Sequence, residues 1–202
     1  MTDRPVPPDS SAAVSPDALG TALREIVEFV DQDGWDRPPM LFALVPTATL
    51  AQRRPDLVDA DDDSVLTPVA QEPLADGTVE VERVLATTSW PPMVAGAALI
   101  QEIVVLPPEA EADFGSAAGS SHGGPSHAEP DAAGAAARKA ARAHPGGRSA
   151  RLAVGALRDG RSLAVLHIRP EDPDTDAPIE LRTRADLATE LRAALLQTFD
   201  DD

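Results

Sequence analysis

Apolar residues in the first third of the chain follow a helical spacing and then form a continuous run. The helical spacing predicts an amphipathic helix that begins near Ser15 and buries residues three or four positions apart: Leu19, Leu23, Ile26, Val27 and Val30. Gly34 and the prolines at 38–39 end this helix. The apolar run over 40–45 predicts a short buried strand, and a brief helix is expected over 47–53.

The middle of the chain shows the same order of elements with a weaker pattern. Residues 55–77 are acidic and contain prolines, which favours a loop. Thr78 can cap a second helix, and "WPPM", which begins at Trp90, ends it. The apolar stretch over 93–106 then predicts a long strand.

A hairpin is predicted within "ARLAVGALRDGRSLAVLHIR". Two apolar runs flank Asp159-Gly160, a dipeptide typical of a two-residue type I′ turn. Such a turn pairs Val154 with Val165 and Leu152 with His167. Both faces of this hairpin are apolar, so either helices cover both faces or a second subunit shields one of them.

The carboxyl-terminal segment predicts one more helix. Thr183 and Asp186 resemble a capping box, and the apolar face follows as Leu187, Leu191, Ala194, Leu195 and Phe199. The fold class is therefore α+β, a mostly antiparallel sheet of about four strands with helices packed chiefly on one face. The order of elements is similar to that of secretion-chaperone-like folds, in which dimers bind client segments; this likeness is an analogy.

The composition divides the chain into an ordered part and segments without a core. Residues 1–14 are expected to be a disordered tail and 15–199 a single α+β domain. Within that domain, 109–148 are rich in Ala, Gly, Ser, Pro and His, and we expect a disordered low-complexity insertion.

Charge and composition exclude several classes of function. A formal net charge of −17 argues against nucleic acid or anionic lipid as the main partner. There is no cysteine, no apolar window long enough to span a membrane and no signal-peptide pattern. We therefore expect a cytoplasmic protein with no membrane insertion. No phosphate-binding, nucleophile-elbow or metalloprotease motif occurs, and the acidic "DADDDS" lacks the glycine and glutamate of a calcium loop, so the sequence predicts no cofactor, metal or catalytic residue.

Two polar residues stand out on apolar strands. Glu102 interrupts "LIQEIVVL", and a buried carboxylate there needs a partner such as Arg151 or Arg158. His167 lies on the last strand among apolar residues. Structural roles are favoured for both, and the competing hypothesis is a pocket near Glu102 and His167 in an enzyme or small-ligand-binding protein.

Other residues suit an interaction surface. Trp35 and Trp90 each stand before a strand-opening Pro-Pro-Met, which favours a plug at a helix-to-strand corner; the alternative is an interface anchor. Arg138, Lys139, Arg142 and Arg148 form a basic island in an acidic chain. This island contacts either the chain's own acidic loops or an anionic partner.

Several segments together resemble a known family: "WDRPPMLFALVPT", "WPPMVAGAALIQEIVVLPPEAE" and "RLAVGALRDG". The family consists of small conserved hypothetical cytoplasmic proteins of unknown function from actinobacteria. The resemblance implies a lineage and no activity. Together with the apolar hairpin faces and the missing catalytic motifs, it leaves a non-enzymatic protein-interaction or adaptor module as the first hypothesis, self-associating as a homodimer through an apolar sheet face.

Overall fold

The computed structural model describes residues 17–58, 62–72, 74, 81–107, 143–172 and 178–200. Four helices, one 3₁₀ turn and five strands follow one another in this part of the chain: α1 (Ala18–Gln32), β1 (Met40–Pro46), α2 (Thr47–Arg53), the 3₁₀ turn (Pro55–Leu57), β2 (Leu66–Ala70), α3 (Val81–Leu85), β3 (Gly96–Val105), β4 (Arg148–Leu157), β5 (Ser162–Ile168) and α4 (Thr189–Gln197).

The five strands form one antiparallel sheet in the order β2-β1-β3-β4-β5. The prediction of an α+β fold with an antiparallel sheet is confirmed, with five strands in place of about four. The additional strand is β2, which lies in the stretch 55–77 that was predicted to be a loop. β2 is short, and Leu66 is its one fully buried residue, so the sequence carries little strand periodicity.

Pro68 lies inside β2 without breaking the sheet. Gln71 donates its backbone N–H to the carbonyl of Leu41 in β1. Because backbone groups alternate in direction along a strand, the nitrogen of Pro68 points to the free edge. The missing N–H of proline therefore costs no ladder hydrogen bond, and it blocks the pairing of a further strand with this edge.

One face of the sheet packs against α1. The buried face of this helix contacts apolar residues of all five strands, including Phe42, Ile100 and Val165. Gly155 of β4 permits the close approach, because a Cβ there would lie 2.8 Å from Leu19 Cδ1. The helical spacing seen in the sequence thus marks the core-facing side of α1.

The opposite face packs against α3 and α4. Leu99, Val154 and Ala164 of the sheet form a second core with Leu85 of α3 and Leu195 of α4. Helices therefore lie on both faces and not chiefly on one. The apolar sheet faces on which self-association was expected are covered by the chain's own helices in the described part of the structure.

The hairpin β4–β5 is present with a register one residue away from the prediction. Val154 pairs with Ala164 in place of Val165, because the turn has three residues and not two. Leu157 donates its N–H to the carbonyl of Arg161, and Gly160 has a φ of +89°, whereas Asp159 does not share the positive φ that a type I′ turn needs. The one-residue shift moves each β5 side chain to the other face.

The last helix begins later than the proposed capping box. α4 starts at Thr189, and the hydroxyl of Thr183 donates instead to the carbonyl of Ala164 at 2.7 Å. This contact and an isolated β-bridge between Leu166 and Arg182 hold the segment around 182–183, which precedes α4, beside β5.

Several expectations fall outside the described residues. They are the tail over 1–14, the cap at Thr78 and the part 109–142 of the insertion predicted over 109–148. Residues 143–148 are described and lead into β4. Within the described ranges, no helix combines the length and apolar character needed to cross a membrane.

Candidate functional site

Trp35 lies at the corner between α1 and β1. α1 ends at Gln32, and the chain turns through Gly34 and Asp36, which have φ angles of +76° and +66°. Glycine and aspartate are residues that tolerate this left-handed conformation. The turn places the half-buried ring of Trp35 over the end of the sheet, beside Arg151 of β4.

Arg151 is fully buried beneath this corner. Its guanidinium forms an ion pair with Asp31, donates to the carbonyl of Gly34 at 2.5 Å and lies 4.1 Å from the centre of the Trp35 ring. The carbonyl end of a helix attracts a cation, and the indole face adds to that attraction. Arg151 Nε finds no hydrogen-bond partner among the described residues.

Glu102, Arg151 and His167 stand side by side across three strands. Each is the direct cross-strand neighbour of the next, so all three lie on the face that α1 covers. Glu102 and His167 are therefore separated by two strand spacings, roughly 10 Å, with Arg151 between them. The structure brings the two candidate pocket residues to one face and not into contact.

Glu102 and His167 have partners within the chain. Glu102 Oε1 accepts the backbone N–H of Arg37 at 3.2 Å. The buried ring of His167 stacks on Trp35 at 5.8 Å between centroids, and its Nδ1 lies 3.4 Å from the carbonyl oxygen of Glu180. The arrangement closes the end of α1 onto the sheet, which is the corner-plug role expected of Trp35.

Asp31 is the residue of this corner that sequence reasoning missed. Arg151 or Arg158 was expected to pair with Glu102, but Arg151, the cross-strand neighbour of Glu102, forms its ion pair with Asp31 from α1. Asp31 follows Val30 on a helix end rich in acidic residues, so nothing in the sequence separated it from Asp33. Its identification needed the packing of α1 on the sheet.

Trp90 holds the second corner, between α3 and β3. Its indole Nε1 donates to the hydroxyl of Thr198, which follows α4, at 3.0 Å. Arg158 donates from Nε to the carbonyl of Val94 at 2.8 Å and from Nη2 to that of Trp90 at 2.6 Å. Both Trp corners are fixed by an arginine from β4 or its turn.

A hollow of about 500 Å³ lies beside α2. We name it the α2 hollow, and eight of the described residues line it: Thr47, Ala48, Ala51, Pro55, Val58, Asp62, Asp63 and Ser64. The apolar lining residues come from α2 and from the segment 55–58, and Asp62 and Asp63 supply two carboxylates.

Hydrogen bonds fix the polar lining of the α2 hollow. Asp62 Oδ1 accepts the backbone N–H of Ser64 at 2.9 Å, a local turn typical of aspartate. The hydroxyl of Thr47, which is buried, lies 3.2 Å from that of Ser64 and 2.9 Å from that of Thr67 in β2. The segment that carries the carboxylates is thereby tied to α2 and to the sheet.

Negative charge extends from the α2 hollow to α1. Burial raises the pKa of Glu25 above its ordinary value, and the charges of Asp62 and Glu28 raise this pKa further. Glu28 has a cation partner, since Arg24 lies 3.8 Å from it. Within the described residues, no basic side chain forms an ion pair with Glu25, Asp62 or Asp63.

Large exposed apolar side chains occur near the same surface. In the described part of the chain they are Phe29, Leu57 and Val65, which are 50%, 48% and 47% exposed. Leu57 and Val65 are chain neighbours of residues that line the α2 hollow, and Phe29 follows Glu25 by one helical turn.

The residues of the predicted basic island do not line the α2 hollow among the described residues. Arg138, Lys139 and Arg142 lie outside the described residues. Arg148, the fourth residue of the basic island, is described and pairs with Glu171 at 3.5 Å. Over the described ranges, no group of three His, Asp or Glu side chains is arranged to hold a metal ion.

Comparison with known proteins identifies one family. The family model described as PPA1309-like protein matches residues 19–200, nearly the whole chain. The match takes in the sheet, both Trp corners and the α2 hollow. No curated protein and no solved structure compared with the chain matches it.

Proposed function

We propose that this chain, which belongs to the PPA1309-like protein family, is a non-enzymatic protein-interaction module that receives its partner at the α2 hollow. The observation that carries the proposal is the combination of an open apolar lining with carboxylates that have no ion-pair partner in the described chain. An apolar centre with polar groups at its rim is the usual composition of a protein–protein interface.

The arrangement of the ionisable groups supports binding in preference to catalysis. A general acid or base must reach the reacting proton. Glu102 and His167 instead lie on either side of Arg151, and each has a partner of its own: the backbone N–H of Arg37 for Glu102 and the ring of Trp35 for His167. The alternative of an enzyme or small-ligand site near these two residues therefore has less support.

The proposal also covers lineage, location and assembly. We place the protein in the cytoplasm of an actinobacterium, on the resemblance and the composition already described. Its partner is another protein, because the net charge of −17 repels nucleic acid and anionic membranes. Self-association through a sheet face is not part of the proposal, since α1, α3 and α4 occupy both faces.

A site-specific photo-crosslinker tests this function. The crosslinking amino acid replaces Ala51, an exposed residue of the α2 hollow, and in a matched control it replaces Glu171, whose side chain is 88% exposed at the opposite end of the sheet order. Each variant is produced in the native host and the cells are irradiated. The variant with the crosslinker at position 51 should form a discrete adduct with one or a few proteins, and the variant with the crosslinker at position 171 should not. Equal adducts from both positions, or none from position 51, would refute the proposal.

A further inference from the structure

We infer that the partner inserts a basic side chain, arginine or lysine, into the α2 hollow from a segment that carries apolar residues on either side. This inference rests on the proposed function and names the chemistry of the partner. It follows from the lining of the hollow, from its charge and from the surface around it.

The apolar lining residues suit the stem of a long basic side chain. Ala48, Ala51, Pro55 and Val58 offer small and flat apolar surfaces. Arginine and lysine bury their methylene groups on such surfaces while the charged head reaches polar groups. A volume of about 500 Å³ accommodates one such side chain together with part of its backbone.

The acidic lining residues suit the charged head. Asp62 and Asp63 lie in the hollow, and neither forms an ion pair within the described residues. Glu25 of α1 adds a further carboxylate near Asp62, and its pKa is raised, first by burial and then by the charges of Asp62 and Glu28. A cation placed beside Asp62 relieves this repulsion, so the hollow is complementary to positive charge.

The rim suits apolar neighbours of the basic residue. Leu57 and Val65 are about half exposed, and each directly adjoins in sequence a residue that lines the hollow. Apolar contacts around a charged contact exclude water and strengthen it. A segment of the form apolar-basic-apolar therefore fits the charge and the apolar surface together.

The test is a titration with two peptides that differ in charge alone. The first is acetyl-Gly-Leu-Arg-Leu-Gly-amide, and the second carries citrulline, a neutral residue of the same shape, in place of arginine. Amide chemical shifts of the full chain, followed by two-dimensional NMR, report where each peptide binds. We expect saturable shifts at Ala48, Ala51 and Ser64, and about fivefold weaker binding of the citrulline peptide, as the loss of one exposed charge contact implies.

Matched variants separate a specific site from general attraction to an acidic protein. The double variant Asp62→Asn/Asp63→Asn and the control Glu171→Gln/Glu180→Gln each change the net charge from −17 to −15 by removing two carboxylates. The first should reduce binding of the arginine peptide to the level of the citrulline peptide. The control should leave the fivefold preference unchanged, because Glu171 and Glu180 are exposed carboxylates outside the hollow.

Several results would overturn the inference. They are equal affinity for the two peptides, an equal loss of affinity for the arginine peptide in both double variants, and amide shifts centred away from α2. Tighter binding of the arginine peptide after Arg138, Lys139 and Arg142 are replaced by Gln would also overturn it, because the chain would then fill its own hollow. If the peptides fail while position 51 still gives a discrete adduct, the hollow binds its partner by other chemistry. If position 51 gives no adduct either, the proposed function itself is wrong.

Discussion

Asp31→Ala is the substitution that tests the Trp35 corner most severely. It leaves the Arg151 guanidinium buried without the carboxylate that neutralises it. Removing one partner of a buried ion pair costs about 3–5 kcal/mol. Because the side chain of Asp31 is 37% exposed and water can reach that side of the pair, we expect a smaller loss, about 2–3 kcal/mol.

Removing Arg151 as well should restore part of the lost stability. In Asp31→Ala/Arg151→Met no charge is left buried, and the methionine can pack beneath Trp35. The double variant still loses the hydrogen bond to Gly34 and the contact of the cation with the indole. We therefore expect it to be about 1–2 kcal/mol less stable than the wild type, and more stable than Asp31→Ala alone.

Urea unfolding followed by far-ultraviolet circular dichroism measures these differences without relying on the fluorescence of Trp35. In a chain of this size, the loss expected for Asp31→Ala corresponds to a fall in Tm of about 4–12 °C. Asp56→Ala is the control, because it removes an exposed ion pair at 2.8 Å, and its midpoint should not change. A double variant less stable than Asp31→Ala would refute the account of Arg151 as a neutralised buried charge.

Three further predictions concern other parts of the fold. The folded-state pKa of Glu25 is raised, so its charged form opposes folding at neutral pH. Glu25→Gln should therefore raise the free energy of unfolding by a few tenths of a kcal/mol at pH 7, and this gain should disappear as the pH falls below the ordinary pKa range of glutamate. Urea midpoints at pH 7 and pH 4 measure it, and an equal gain at both would contradict it. Gly155→Ala should cost about 1–3 kcal/mol, because the new Cβ lies 2.8 Å from Leu19 Cδ1; an unchanged midpoint would show that α1 can move away. Trp90→Phe and Thr198→Val each break the 3.0 Å hydrogen bond between these side chains, and each should lower the free energy of unfolding by about 1 kcal/mol or more. If the losses of the two single variants simply add in the double variant, the hydrogen bond contributes nothing to stability.

The sequence predicted those elements whose patterns are local. α1 has a full helical period and a glycine stop, and β1 and β3 are apolar runs bounded by prolines, so each was placed within a few residues. The two Trp corners followed from the same prolines. The apolar hairpin faces correctly indicated that something covers both, and α1 on one side and α3 with α4 on the other provide the cover.

The remaining features depend on contacts between distant residues. β2 carries one buried residue and a proline, and it is a strand because β1 offers it an edge. The register of β4–β5 depends on the backbone angle of Asp159, which its dipeptide context did not determine. The α2 hollow unites residues from α2 with Asp62 and Asp63, which a sequence reading leaves in an acidic loop.

Quantitative co-purification from the native host tests most directly whether the α2 hollow recognises a partner. The wild type, Asp62→Asn/Asp63→Asn and Glu171→Gln/Glu180→Gln are expressed at equal levels, and the proteins recovered with each are compared by mass spectrometry. The account predicts at least one protein whose recovery falls about fivefold or more with the first variant and stays unchanged with the second. Identical recoveries with all three chains would contradict it.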